Sequence, residues 1–529
     1  MKKQGIYLNI GYICLIITFI LTVTFMALRC EEWNIDDDAP SELVLSELLV
    51  EEGTLLSENW YYSTEIKILC PQLIYNILFL FLDDWSTIRV VGNGILYFLL
   101  LISSYYLCVQ INKKNVFPIL GIFLLSPISL FWFNYTLYGA FYIPCIMISI
   151  LFVALNFHFI NTDIKYKKYL ICIFGGLLSF FTGLGGLRQL LLLYIPLVIA
   201  GLIVVLVDLY KEPVKEWINQ KQVKFFVYTL IMSGFAFFGV LVNSSYLSKK
   251  YSFVQYESIM YTSIQWERIL DVLEGLITTF GYKWGRPIFS VVTFHNLLAV
   301  VFALATIVSI IYLLKRIVDL SYEKKIMICF YVVALLIFTA LFVVTDMTYA
   351  ENYAYPIIVF TIPVIAIFWQ EAGISTKLKK FIYVVAAITL VLNALLVYDE
   401  YKTVDSTEDL REIVSLLQQE GYYNGYSNGW DCGNSLTELS DGSIEVWVLD
   451  QIDNYKSDVY GLDRILLWLQ KKSHTTEVPS GRVFLVFSLS DAEGYPIIER
   501  MDEEHLIYTS QDHVVYGYES YDELIEGIQ

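Results

Sequence analysis

Eleven long apolar stretches occupy most of the first 400 residues of this 529-residue chain, and they strongly restrict what it can fold into. A helix needs roughly 20 mostly apolar residues to cross a membrane. Charged residues make up only 17% of the chain, whereas they make up about a quarter of a soluble domain. We therefore predict a polytopic α-helical membrane protein with about 11 transmembrane helices rather than a soluble enzyme. The predicted spans are 6–28, 91–111, 116–133, 141–160, 169–184, 190–207, 225–242, 297–314, 326–344, 355–368 and 381–397.

Acidic residues are concentrated in the last quarter of the chain. Residues 401–529 contain 8 Lys and Arg against 25 Asp and Glu, which accounts for −17 of the formal net charge of −18. The sequence thus predicts a nearly neutral transmembrane domain at 1–400 and an acidic α/β domain at 401–529. Because the charge is negative and no basic face is present, a nucleic-acid partner is excluded.

The distribution of Lys and Arg predicts how the chain is oriented. Of the 27 basic residues in 1–400, 18 fall in the N-terminus and in loops on one side of the predicted spans. Since Lys-rich and Arg-rich loops stay in the cytoplasm, the N-terminus is predicted to be cytoplasmic and the tail domain extracytoplasmic. The outer face then carries two long loops, 29–90 and 243–296. The apolar segment 71–82 has only 12 residues, so we expect it to lie in the membrane interface.

Three consecutive carboxylates, Asp36, Asp37 and Asp38, follow the first predicted span on the outer side. The next residues predict an amphipathic helix from about Pro40 to just before Gly53. In one interpretation the acids stabilise the positive end of that helix. In the other they supply a general base, because crowded carboxylates repel one another and raise a pKa. Three acids also suit a divalent metal ion, although no complete ligand set is visible.

Motifs in the first outer loop resemble, in order and spacing, those of the GT-C-fold glycosyltransferases. This superfamily includes the protein mannosyltransferases and the lipid A aminoarabinose transferases. Residues 37–53 resemble its "DEA…LL..G" loop, with Asp38 where the family has Glu. Residues 70–75, CPQLIY, resemble its "PPLYY" helix, with Cys70 in place of the first Pro. Residues 84–89, DWSTIR, resemble its "ALR" segment at the start of the second span.

The resemblance implies an integral membrane glycosyltransferase acting on the outer face of the cell membrane. Such an enzyme transfers a hexosyl or pentosyl group from a polyprenyl-phosphate carrier to a cell-envelope glycan, lipid or protein. An acidic residue of the first loop acts on the acceptor hydroxyl, which makes Asp37 and Asp38 the predicted catalytic residues. Residues 351–356, ENYAYP, resemble the family's "RY…P" segment, but Asn352 replaces the Arg. The donor phosphate therefore needs another cation.

Arg188 is the strongest candidate for holding the carrier phosphate. It follows the Gly-rich stretch 183–187 at an outer turn, and an Arg at membrane depth usually has a function. The next helix begins near Gln189, so its positive end also suits an anion. The alternative is an Arg that merely extends to the membrane interface. The predicted substrate-binding residues are Asp36, Lys67, Arg89, Arg188, Lys283, Arg286, Glu351 and Tyr353.

Two other functions stay open from the sequence, a lipid-linked sugar transporter or flippase and a non-catalytic membrane assembly protein. Transporters place polar or broken helices at the membrane midplane, whereas the span interiors here are almost free of charge. Neither a Walker A motif nor a strand-anchored GxGxxG is present, which argues against an ATP-driven pump. Cys30 and Cys70 share the first outer loop, where a disulfide is one option.

The tail has the pattern of a small α/β domain. A capping pattern at 406–409 and Gly421 predict the two ends of its first helix. Strands are predicted at 443–449 and 482–488, with a hairpin of 506–510 and 513–518. Further helices are predicted near 436–439, 462–471 and 521–525.

Overall fold

The computed structural model of the protein describes residues 5–33, 38–63, 66, 68–211, 220–253, 260–285, 294–428, 432–450, 462, 464–490, 497–498 and 501–528. Four of the predicted site residues lie outside these ranges, namely Asp36, Asp37, Lys67 and Arg286. The other six lie within them, namely Asp38, Arg89, Arg188, Lys283, Glu351 and Tyr353.

Nine helices within the described ranges are long and apolar enough to cross a membrane. They are α1 (Gly5–Arg29), α2 (Trp85–Gln110), α3 (Ile143–Asn161), α4 (Lys165–Leu184), α5 (Ile195–Lys211), α6 (Lys221–Val242), α7 (Phe294–Lys315), α8 (Tyr322–Val344) and α9 (Thr376–Tyr401). A π-helical turn, Leu190–Tyr194, leads directly into α5. The chain is therefore a multi-pass membrane protein, as the hydropathy pattern predicts.

The other two predicted spans are broken helices. In place of 116–133, the helices Lys114–Leu125 and Leu130–Tyr138 meet at 91°, so this pair counts as a tenth span only if it is taken as one unit. In place of 355–368, the short helices Tyr355–Ile358 and Thr361–Glu371 follow one another. A proline explains the first break, because Ser126 precedes Pro127 and has extended backbone angles, φ −84° and ψ 140°.

Two helices between α1 and α2 confirm the prediction for the first outer loop. The loop helix (Asp38–Glu52) ends at Gly53, whose φ of +63° is the left-handed conformation that favours glycine. The interfacial helix (Gln72–Phe79) is too short to cross a membrane, and Phe81 just beyond it is 78% exposed. This exposed apolar end suits a position at the membrane surface. In the second long loop, the helix Arg268–Thr279 also exposes apolar side chains, among them Leu270.

A small three-stranded sheet ties the two long outer loops to the tail. Its strand order is β2 (Ser252–Phe253), β1 (Trp60–Tyr62) and β5 (Gln470–Lys471), with β1 parallel to β2 and antiparallel to β5. The helix that the sequence predicts at 462–471 is wrong. Residues 470 and 471 form β5, because their backbone groups pair with a strand some 400 residues earlier, and no local pattern reveals that pairing.

The tail contains a five-stranded mixed sheet. The order is β4 (Glu445–Leu449), β3 (Asn424–Asn428), β6 (Val483–Ser488), β8 (His513–Tyr518) and β7 (Leu506–Thr509), with parallel pairs on one side and an antiparallel hairpin on the other. The helices Glu408–Glu420, Gly433–Leu439 and Tyr521–Ile528 accompany it. The predicted strands and hairpin are confirmed. The central strand β3 is missed, because the sequence NGYSN is polar and lacks the expected alternation.

Candidate functional site

The segment 129–142, called here the bent segment, connects most of the described candidate residues. It contains the helix Leu130–Trp132 and the π-helical turn Phe133–Tyr138. At its start the Ser129 hydroxyl donates to the Glu351 carboxylate at 3.2 Å. In its middle the side-chain amide oxygen of Asn134 accepts from the Trp33 indole N–H at 3.3 Å. At its end the Tyr142 ring lies against Arg188.

Arg188 lies between two tyrosine rings at the turn between α4 and α5. Its guanidinium carbon is 4.6 Å from the centre of the Tyr353 ring and 5.6 Å from that of Tyr142. Cation–π contacts of this kind orient a guanidinium without neutralising its charge. The Asn352 amide donates to the Tyr142 hydroxyl at 2.5 Å. Two residues predicted separately, Arg188 and Tyr353, are thus brought together, and Tyr142 joins them without any signal in the sequence.

A small cavity opens beside Arg188. Its walls come from the end of the first outer loop, from α3, and from the end of α4, and they include Ile68, Leu69, Cys145, Thr182 and Gln189. The Gln189 amide is held by the Cys145 carbonyl at 3.2 Å. The cavity therefore presents one cationic group and one amide among mostly apolar walls.

Glu351 is a partly buried carboxyl group that contacts Ser129 at the start of the bent segment. Burial raises the pKa of Glu351 to about 7, and the hydrogen bond from Ser129 opposes that rise. The group lies in the loop between α8 and the helix Tyr355–Ile358. It is therefore able to gain or lose a proton near neutral pH, which is a property that general acid or base chemistry requires.

We expect this raised pKa to make stability depend on pH. The folded state holds the proton of Glu351 more tightly than the unfolded state, in which the pKa of Glu351 is about 4.5. Folding should therefore become less favourable as pH rises from about 4.5 to about 7, and the loss should be complete above that. In the Glu351→Gln variant this contribution should vanish.

The measurement is the melting temperature of the detergent-purified protein between pH 5 and 8. Burial also raises the pKa of Glu47 to about 7, so Glu47→Gln serves as the matched control. This variant should keep the part of the pH dependence of the melting temperature that Glu351 contributes. An identical pH slope in the wild type and in Glu351→Gln would show that Glu351 does not titrate in this range.

Hydrogen bonds hold the described residues on both sides of residues 34–37, which are called here the acidic loop. Before the loop, the Tyr138 hydroxyl donates to the carbonyl oxygens of Cys30, at 3.1 Å, and Trp33. After it, Asp38 is the first residue of the loop helix, and the Ser41 hydroxyl donates to its carbonyl oxygen at 2.7 Å. Trp33 and Asp38 therefore fix where the loop leaves and rejoins the described structure.

Arg89 occupies a different position from the one that a substrate-binding role would require. Its side chain is fully buried, and it forms a two-point ion pair with Glu438 of the tail at 2.6 and 2.7 Å. It also donates to the Ala39 carbonyl at 3.0 Å, and its guanidinium lies 5.4 Å from the Tyr138 ring centre. Arg89 thus connects the tail, the loop helix and the bent segment. No local pattern could reveal Glu438 as its partner.

Lys283 lies beside Glu400 and Tyr401 at the end of α9. Its ammonium group binds the Glu400 carboxylate at 2.8 Å and lies 5.5 Å from the Tyr401 ring centre. The Tyr401 ring in turn contacts Trp33, with ring centres 5.3 Å apart. Lys283 therefore lies near the stem of the acidic loop, with one carboxylate already beside it.

The described residues show neither a disulfide nor a metal cluster in this region. Cys30 is buried against the Ser86 carbonyl, and no bond joins it to Cys70. Among the parts of the chain that the structure describes, no group of three His, Cys, Asp or Glu residues has the spacing of a metal site. Asp36 and Asp37 lie outside the described residues.

The fold and the arrangement of the outer loops define a class, that of polytopic membrane proteins with a GT-C-like fold. ArnT from Cupriavidus metallidurans, solved bound to undecaprenyl phosphate, matches with a TM-score of 0.58 and 11% sequence identity, over 97% of this chain and 98% of that chain. Its apo state gives the same TM-score over 98% of both chains. The archaeal oligosaccharyltransferase AglB from Archaeoglobus fulgidus matches with a TM-score of 0.49 and 11% identity, over 93% of this chain and 70% of that chain. By sequence, neither a protein-family model nor a curated protein matches.

Proposed function

We propose that the protein is an integral membrane glycosyltransferase. It would move a hexosyl or pentosyl group from a polyprenyl-phosphate carrier to a glycan, lipid or protein of the cell envelope on the outer face. The observation that carries the proposal is the position of Arg188, held between two tyrosine rings beside a cavity in a GT-C-like fold. The orientation rests on the excess of Lys and Arg on the opposite side.

The carrier phosphate is assigned to Arg188 and its surroundings. A guanidinium binds phosphate through two parallel hydrogen bonds. The interaction between the two groups is stronger in a cavity with apolar walls than in water. Tyr353 and Tyr142 would hold the plane of the Arg188 side chain, so less conformational entropy is lost on binding. Lys283, Lys67 and Arg286 are assigned to the sugar or to the far side of the phosphate. We reassign Arg89 from substrate binding to positioning, because Glu438 occupies its side chain.

The transfer step is assigned to the acidic loop. The carboxylate of Asp37 would accept the proton of the acceptor hydroxyl while that oxygen attacks the anomeric carbon of the donor sugar. The bond between the anomeric carbon and the phosphate oxygen breaks, and polyprenyl phosphate leaves with both electrons of that bond. Asp36 and Asp38 would keep the site negative and so hold the proton affinity of Asp37 near the value that a base needs.

A reconstituted transfer assay tests the proposal against the transporter alternative. Purified protein in lipid vesicles receives polyprenyl-phosphate-linked sugar labelled in the sugar, together with cell-envelope extract as acceptor. A glycosyltransferase releases polyprenyl phosphate and moves the label to an acceptor in equal amounts. A flippase moves the intact labelled lipid across the membrane, and the label stays on the carrier. Label that remains on the carrier with every donor and acceptor fraction would refute the proposal.

A further inference from the structure

A long apolar groove runs between α4 and α6. Its volume is about 990 Å³, and Phe159, Cys172, Tyr228 and Met232 contribute to its walls. The Tyr228 ring stacks on Phe159 with ring centres 4.2 Å apart, which closes the back of the groove. The apolar side chains that line it are 45–61% exposed, namely Ile173, Leu177, Val227, Ile231, Phe235 and Phe238.

Close backbone contact ends the groove at the outer ends of the two helices. A Cβ atom on Gly183 would lie 1.9 Å from the Ala236 carbonyl oxygen, and one on Gly239 would lie 2.2 Å from the Phe180 carbonyl oxygen. Glycine is required at both positions because the helices touch there. From this closed end the groove extends to the first turns of both helices, where Lys168, Val223 and Lys224 line it. We call this second end the open end.

The open end carries two cations. Lys168 of α4 and Lys224 of α6 line the groove there, and among the described residues no salt bridge involves either of them. Both lie in the first turns of their helices, on the Lys-rich side that the charge distribution predicts to be cytoplasmic. Basic pockets between transmembrane helices on that side suit anionic lipid headgroups.

The groove follows α4 for more than half of a membrane thickness. From Lys168 to Phe180 along α4, a helix rises roughly 18 Å at about 1.5 Å per residue. Half of a hydrocarbon core about 30 Å thick is roughly 15 Å. A chain that enters at the lysines therefore passes the middle of the membrane before it reaches the closed end. This limited length suits an acyl chain of a phospholipid better than a polyprenyl chain, which is far longer.

We propose that this groove binds one anionic phospholipid from the leaflet on the Lys-rich side. Its phosphate lies between Lys168 and Lys224, and one acyl chain fills the slot between α4 and α6. The site is separate from the outer cavity at Arg188, so the proposal stands or falls independently of the glycosyltransferase assignment.

The test measures lipid binding to the delipidated full-length protein by native mass spectrometry. Phosphatidylglycerol and phosphatidylcholine are titrated separately, and the affinity for the first bound lipid is compared. Replacing both lysines (Lys168→Ala with Lys224→Ala) should weaken phosphatidylglycerol binding by roughly 30-fold and remove the preference over phosphatidylcholine, because each cation near an anionic headgroup contributes about a fivefold factor. The control is Lys165→Ala with Lys167→Ala, two lysines of the same helix turn outside the groove.

A second variant fills the slot without touching the charges. A Cβ atom on Gly176 would meet its nearest neighbour, the Phe235 ring, only at 3.7 Å, so Gly176→Leu fits and projects into the groove. It should weaken both lipids by about tenfold, since it displaces roughly two methylene groups of the chain.

Three results would overturn the proposal. The control pair could reduce binding as much as Lys168 and Lys224 do, which would indicate general attraction to a basic surface. Gly176→Leu could leave both affinities unchanged, which would leave the slot without an occupant. Polyprenyl phosphate or a second copy of the chain could displace phosphatidylglycerol at equimolar concentration, which would assign the groove to that occupant.

Discussion

Replacing Asp37 with Asn should abolish sugar transfer while the protein still inserts and folds. An amide cannot accept the proton of the acceptor hydroxyl, and the loss of a general base typically costs about 10²–10⁴ in rate. The volume of the side chain is almost unchanged, so the fold should not be disturbed. The measurement is the initial rate of label transfer, with the melting temperature as a check on folding.

The matched controls for Asp37 come from the same loop. Asp83 is an exposed carboxylate that follows the interfacial helix, and Asp83→Asn should transfer at the wild-type rate. Asp38→Asn separates the two predicted catalytic residues and should retain part of the activity if its charge only adjusts the proton affinity of Asp37. Full activity of Asp37→Asn, with Asp38→Asn inactive, would move the base to Asp38. Full activity of both would remove the base from this loop.

The second large effect is expected at Arg188. Hydrogen bonds to a charged group contribute about 1.5–3 kcal/mol, so Arg188→Gln should raise the KM for the donor by roughly 10- to 150-fold. Arg188→Lys keeps the charge but loses the planar group that fits between the rings of Tyr142 and Tyr353, and it should recover only a small part of the affinity. The measurement is transfer rate against donor concentration.

A distant cation provides the comparison for Arg188. Lys250 lies on the outer side, is partly exposed and pairs with Glu58, and Lys250→Gln should leave the KM for the donor unchanged. The KM for the acceptor should be unchanged in all of these variants. Equal donor affinity in Arg188→Gln and in the wild type would exclude Arg188 from phosphate binding.

Hydropathy was sufficient to predict the transmembrane part, because the cost of exposing a polar backbone to lipid leaves helices as the main option. The bend within the predicted span 116–133 was not evident from the sequence, since this stretch is mostly apolar and only Pro127 signals the bend. Contacts between distant parts of the chain were also not evident. The pair of Arg89 with Glu438 and the pairing of β1 with β5 each join residues several hundred positions apart, and neither leaves a local pattern.

The candidate site was predictable in its chemistry and not in its arrangement. The signal for Arg188 was a cation at a membrane edge. The signal for Tyr353 was a motif near the last spans. The contacts of Arg188 with Tyr353 and Tyr142 join residues that are far apart in the chain, so no local pattern reveals them. Arg89 carried the same kind of signal as Arg188, a cation near the outer surface. Only the tertiary structure separates the two, because it buries Arg89 against a tail carboxylate.

Site-specific photo-cross-linking tests the central claim most directly, namely that the polyprenyl-phosphate carrier binds beside Arg188. A photoreactive phenylalanine analogue replaces Tyr353 in the reconstituted protein, and the same analogue replaces Leu336, which is 63% exposed on α8, as the control for random contact with lipid. We predict an adduct with labelled polyprenyl phosphate at position 353 that excess unlabelled carrier prevents, and only weak labelling at position 336 that the excess does not change. Equal labelling at both positions, unaffected by the excess carrier, would contradict the proposed site.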